Sequence, residues 1–184
     1  MPFSTSTVQQ SSESLLPALV EEFFRKSEGE WRSERRYYTL KDGDVQEVES
    51  LLTIHFLEKG STDLIELART HELSDVTALV CGVQTSWEST YRGPSQKQLT
   101  GSTVFGVLGD TLYRDRGFAT AKPVTAKFSF PDPKTMHLKT EYGGSMFSEE
   151  IKLIGLNTDF RTRQTIISRA GEEQMIGQYF EKRI

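Results

Sequence analysis

The chain has 184 residues, with 22 Lys+Arg against 26 Asp+Glu and a formal net charge of −4. That length suits a single domain large enough to enclose a ligand cavity. The mildly acidic balance argues against a nucleic-acid partner, no apolar run reaches the ~18 residues of a membrane-spanning helix, and the lone Cys81 excludes a disulfide framework and a multi-cysteine metal site.

Residues 1–12 are polar and rich in Ser, Thr and Gln, with no apolar signal region, and read as a disordered lead to a cytoplasmic protein. Residues 13–184 read as one domain. Its first element is an amphipathic helix over about 14–27. Ser14 is placed to cap it, Pro17 falls in its first turn, and Leu15, Leu16, Leu19, Val20, Phe23 and Phe24 form one apolar stripe. Gly29 follows its end. From Trp31 the period changes to two. The spacing predicts strands over 31–39 and 45–57, joined through Lys41-Asp42-Gly43-Asp44, then a short helix over 61–73 carrying Leu64, Ile65, Leu67 and Ala68 on one side. Strands resume over 79–91, 101–107, 111–119, 124–130, 135–142, 146–155, 160–169 and 173–183. Turn residues separate them, among them Gly109-Asp110, Gly143-Gly144 and Ala170-Gly171.

About ten short strands with almost no helix between them imply an all-β antiparallel meander, which packs as a sandwich or closes as a barrel. Closure is favoured because it removes edge strands. A barrel of this size leaves room for one small ligand. Polar residues on both faces of the strands suit a polar-lined cavity, and apolar residues make up only 36% of the chain. Gly29-x-Trp31, at the start of the first strand after a short helix, resembles the Gly-x-Trp of lipocalin-like barrels, where the Trp plugs the closed end.

Residues two apart on a strand share a face. Trp31, Ser33, Arg35 and Tyr37 share one; Arg161, Arg163 and Thr165 share another. Two arginines at that spacing are a solvated face if they point outward. Pointing inward they need anions, and a ligand with two carboxylates would supply them. Trp87 and Glu88 oppose each other, as do Tyr142 and Glu141. Glu149 and Glu150 lie in one strand and Glu181 in the last. His55, His71 and His137 show no metal-ligand spacing, so no metal site is expected. Cys81 follows Ala78-Leu79-Val80 and reads as a buried small hydrophobe.

Seven fragments in register give the chain a resemblance: Phe24 to Arg35 with Ser27-x-Gly29-x-Trp31-x-Ser33-x-Arg35, Ser86-Trp87-Glu88, Gly101-Ser102-Thr103-Val104, Leu112-Tyr-Arg114-Asp-Arg-Gly117-Phe118-Ala119, Thr140-Glu141-Tyr142, Phe147-Ser148-Glu149-Glu150 and Arg161-Thr-Arg163. Over about 20–184 the chain resembles the S/U-type (CpcS/CpeS-like) phycobiliprotein chromophore lyases. The resemblance implies a calycin-like barrel that binds a phycobilin, phycocyanobilin or phycoerythrobilin, without a covalent bond. It implies delivery of that bilin to a cysteine of an apo-phycobiliprotein subunit as a thioether. It assigns Arg161 and Arg163 to the bilin propionates or to steering, and Glu150 first, Glu181 second, to the pyrrole nitrogens. Trp87 is expected to wall the rings, with Arg35 and Tyr142 assisting. Arg36-Tyr37-Tyr38 stands where catalytic S-type members carry His, and Ile151 where they carry Arg. These departures suit a U-type or divergent member that works with an S-type partner or as a homodimer. The alternatives are a non-catalytic bilin carrier and a lipocalin-like carrier of another lipophilic acid.

Overall fold

A computed structural model describes residues 6–94 and 96–184. Among these the elements run α1 (Ser6–Ser27), β1 (Gly29–Thr39), β2 (Val45–Glu58), α2 (Thr62–Thr70), β3 (Cys81–Tyr91), β4 (Lys97–Leu108), β5 (Thr111–Arg114), β6 (Val124–Asp132), β7 (Thr135–Tyr142), β8 (Ser145–Ile154), β9 (Phe160–Arg169) and β10 (Glu172–Arg183). Every strand pairs antiparallel with its neighbours in sequence, and β10 returns to pair with β1, so the sheet closes as a ten-stranded barrel. Closure leaves the sheet without an open edge. Tight hairpins set the registers; at Gly143-Gly144 both residues have positive φ (60° and 76°), the backbone that a two-residue connection requires.

Strand β4 begins at Lys97 rather than 101 and α2 ends at Thr70 rather than 73, and two elements differ more from the sequence expectation. Helix α1 begins at Ser6 rather than near Ser14, so Pro17 lies inside it rather than in its first turn. Residues 1–5 of the expected disordered lead lie outside the described residues. Strand β5 ends at Arg114 instead of continuing to 119. The cause is Asp115, whose Oδ1 accepts hydrogen bonds from Thr103 Oγ1 (2.7 Å) and Val104 N (3.1 Å) on β4. The Asp115 N–H still donates to the Val104 carbonyl at 3.3 Å, but the side chain takes the Val104 N–H, and after this half rung the chain leaves the sheet and lines the barrel mouth.

The other end is sealed by α1. Val20, Phe23 and Phe24 bury against the barrel together with Trp31, Leu52 and Ile54. Trp31 is fully buried, and its Nε1 donates to the Ser27 carbonyl at 2.9 Å. Arg183 supplies donors to the end of the helix: its Nη2 reaches the Lys26 carbonyl at 2.6 Å, and its guanidinium lies 4.2 Å from the Trp31 ring centroid. A cation there also complements the negative end of the helix dipole. Trp31 thus plugs the closed end. Trp31→Ala should cost about 3–5 kcal/mol of unfolding free energy in a urea titration; an unchanged midpoint would show that the plug is dispensable. A second cluster lies outside the barrel, where Leu64, Leu67 and Ala68 of α2 pack with Leu57 and Leu79. The helix comes close because Gly106 has no side chain; a Cβ there would stand 3.0 Å from Leu67 Cδ2 and 3.1 Å from Leu64 Cδ2.

Candidate functional site

The barrel encloses a cavity of about 550 Å³, within the span of about 300–1,000 Å³ usual for small-molecule pockets. Phe23, Phe24, Leu52, Ile54, Met136 and Leu138 give it apolar walls near the sealed end. Its charged lining is Arg35 of β1, Arg114 of β5, Arg116 after it, Arg161 and Arg163 of β9 and Glu181 of β10, and two ion pairs lie in or against this wall.

Arg161 and Glu181 face each other directly in the β9–β10 register. They form an ion pair with side chains only 8% and 2% exposed. Ser33 Oγ donates to Glu181 Oε1 at 3.3 Å, and Arg35 Nε donates to Ser33 Oγ at 3.2 Å. The second pair joins Arg163 to Glu149. In the β8–β9 register Glu149 faces Thr165, and Arg163 faces Ile151, so this contact is diagonal. Thr165 Oγ1 also donates to Glu149, at 3.3 Å. Tyr179 stands between the pairs, with the guanidinium carbons of Arg35 and Arg163 each 5.2 Å from its ring centroid and its hydroxyl 3.0 Å from that of Tyr37.

Burial by itself pushes both carboxyl groups up. Arg163, with Arg114, outweighs it at Glu149, and Arg161, with Arg163 and Arg35, outweighs it at Glu181, so both lie below the ordinary glutamate value and are ionised at neutral pH. Burial raises the Tyr179 phenol, which stays protonated. Cys81 lies in the apolar cluster by α1, and burial pushes its thiol up to about 12. It is therefore a thiol, not a thiolate, at neutral pH, and a poor nucleophile.

Arg35, Trp87, Arg161, Arg163 and Glu181 all line the cavity, as their strand faces predict for an inward arrangement. Arg161 and Arg163 do point inward, yet the anions they meet are carboxylates of the chain itself. Trp87 lies across β4 at Gly101, where an added Cβ would stand 2.5 Å from Trp87 Cζ2. Glu150 requires a correction: it is on the outer face, its Oε2 3.0 Å from His137 Nε2 and its side chain 52% exposed. Strand alternation is the reason, since Phe147, Glu149 and Leu153 are the buried side of β8. Tyr142 is also not a wall of the cavity. Its ring stacks on Phe147 with centroids 4.7 Å apart, and its hydroxyl accepts the Ala119 N–H at 2.8 Å. It holds the segment after β5, from which Arg116, Gly117 and Phe118 line the mouth.

Three residues of the site escaped the sequence reading: Glu149, buried against the lining Arg163, and Arg114 and Tyr179, which line the cavity. A signal existed for the first two. Glu149 alternates with Phe147, Ile151 and Leu153, and Arg114 lies two residues from Leu112, so both share a face with apolar residues. Among the described residues no group of three or more His, Cys, Asp or Glu side chains converges as a metal site, and no helix is long and apolar enough to cross a membrane.

A family model described as CpeS-like protein matches residues 19–184. A protein of Nostoc sp. provisionally named phycocyanobilin lyase CpcS 2 is 58% identical over 163 residues, covering 89% of each chain. A chromophore lyase CpcS/CpeS of Thermosynechococcus vestitus is 31% identical over 159 residues, covering 83% of this chain and 85% of the relative. Among solved structures, the S-type phycobiliprotein lyase CpeS of Guillardia theta superposes with a TM-score of 0.75 at 24% identity, covering 90% of this chain and 92% of that one. At that identity the likeness speaks for the fold.

Proposed function

The chain belongs to the CpeS-like protein family, and from that premise we propose that it is a bilin lyase. It binds an open-chain tetrapyrrole in the barrel without a covalent bond and presents it to a cysteine of an apo-phycobiliprotein subunit. The client thiolate adds to the ethylidene carbon of the bilin. A carbon–sulfur bond forms, the exocyclic double bond is lost, and the ring system takes up the electron pair and one proton. The protein supplies no sulfur, in keeping with the buried, protonated Cys81.

The observation that carries this reading is a pair of ionised glutamates at the cavity: Glu181 in its wall and Glu149 buried against the lining Arg163. A bilin presents a row of pyrrole N–H donors, more numerous when it is protonated, and these call for a fixed carboxylate acceptor. Glu149, rather than Glu150, fills that part, with Glu181 second. A carboxylate that keeps the bilin protonated makes its ethylidene group a better electrophile. Arg161 and Arg163 hold the two glutamates in place and keep them charged, and Arg35 adds positive charge beside Glu181. Trp87 offers an aromatic wall to the rings. Tyr142 shapes the mouth from beneath. A carrier of a simple lipophilic acid needs one arginine and an otherwise apolar lumen; several inward arginines and glutamates fit that reading less well. The protein and its client meet in the cytoplasm, and an S-type partner or a second copy completes the activity if the chain is a U-type member.

Co-expression with a bilin-producing system and an apo-phycobiliprotein subunit, with and without an S-type partner, tests this. Zinc-enhanced fluorescence of a covalent adduct is expected. Adduct with this chain alone marks a complete lyase, and adduct only with the partner marks a subunit. Coloured protein without adduct would replace the lyase with a carrier, and colourless protein would remove the bilin.

A further inference from the structure

Arg161 and Arg163 are each committed to a glutamate, but a third arginine in the cavity is not. Arg114, the last residue of β5, is only 8% exposed and lines the cavity. Among the described residues its side chain makes no ion pair and no hydrogen bond, and its Nε is a buried donor without an acceptor. The nearby carboxylates are engaged elsewhere. Asp115 turns away to Thr103 and Val104, and Glu149 is held by Arg163 and Thr165. The Arg114 guanidinium lies over the Phe105 ring, 4.8 Å from its centroid, which covers one face and leaves the donor edge free. Its position is secured from outside the barrel: His71, at the end of α2, donates from Nε2 to the Arg114 carbonyl at 2.8 Å.

A guanidinium does not shed its proton to escape burial. An unpaired one inside a protein is costly, and the cost is recovered when an anion with two adjacent oxygens meets its donor edge. We infer that Arg114 is the anchor for a carboxylate of the ligand, a part the sequence had assigned to Arg161 and Arg163. The inference rests on the bilin reading of the cavity, and the carboxylate is then one of the bilin propionates. It divides the arginines by task. Arg161 and Arg163 neutralise and orient glutamates of the chain, and Arg114 is the buried cation left for the incoming molecule.

The test titrates phycocyanobilin free acid and its dimethyl ester into the full chain and follows the change in absorbance. The parent chain should bind the acid more tightly than the diester. Arg114→Gln should weaken binding of the acid by about tenfold or more and leave binding of the diester unchanged. Its melting temperature without ligand should equal or exceed that of the parent, since the variant removes an unpaired buried charge. Arg114→Lys keeps the charge but not the two-pronged geometry and should show a smaller loss, again confined to the acid, so the assignment does not depend on one variant folding. Equal weakening of acid and diester, or unchanged binding of the acid, would overturn the assignment while leaving the bilin reading intact. A parent chain that binds neither form would overturn both.

Discussion

Glu149→Gln should lower thioether formation by about 100-fold or more, while Glu150→Gln should leave it unchanged. The two residues are adjacent in β8 and face opposite ways. Glu149 is buried against the barrel wall between Arg163 and Thr165; Glu150 meets His137 at the surface. Glutamine keeps the size of the side chain and one acceptor but removes the charge that would hold a protonated bilin. Glu149→Ala is more severe, because it leaves the Arg163 guanidinium without its carboxylate; a loss of about 3–5 kcal/mol is expected, or roughly 6–20 °C in melting temperature for a chain of this size. Adduct fluorescence and thermal unfolding measured together separate the two effects. Equal activity losses in the Glu149→Gln and Glu150→Gln variants would show that the inward face of β8 is not what matters.

The Arg161–Glu181 pair should behave as a unit. Glu181→Ala strands a buried cation beside Trp31 and should cost about 3–5 kcal/mol. Arg161→Met combined with Glu181→Leu removes both charges and fills the space, so it should recover most of that loss, leaving mainly the Ser33 hydroxyl without its acceptor. A double variant as unstable as Glu181→Ala would mean that the two residues do not compensate each other. The sign of the pH effect follows from the same pair. Glu181 has a carboxyl below its ordinary value of 4.5 in the folded protein. Its ionised form therefore stabilises the fold fully above that value, and the contribution is lost as pH falls through the lower, folded one. Glu149 follows the same rule. The double variant lacks one of these two groups and should lose less stability than the parent between about pH 5 and pH 3.

Much of the site could be read one strand at a time. The alternation Trp31, Ser33, Arg35, Tyr37 and the spacing of Arg161, Arg163, Thr165 each put their members on one face, and the barrel turns those faces inward. The family resemblance points to Glu150, whereas the apolar residues Phe147, Ile151 and Leu153 on one face of β8 point to Glu149. Tyr142 shows a different limit. Its strand face points toward the barrel interior, but it lies at the rim, where the segment after β5 covers it and takes its hydroxyl as an acceptor. No local pattern announces that segment, because β5 ends through a side-chain contact between Asp115 and β4.

The sequence by itself determined the number and order of strands, the helix that precedes them, the tryptophan at the closed end and which residues of β1 and of β9 share a face. All of these depend on periodicity and turn chemistry within a few residues, which local sterics enforce. Only the tertiary structure decided which charges meet. Which carboxylates Arg161 and Arg163 meet depends on the registers of the β8–β9 and β9–β10 hairpins, and closure of β10 onto β1 turns that face of β9 inward. Those registers place Glu181 opposite Arg161 and Glu149 diagonal to Arg163, and Arg114 on β5 is left without an ion pair among the described residues. The partners lie 20 and 14 residues apart on neighbouring strands, beyond any pattern within one strand, so their identity is a property of the folded sheet.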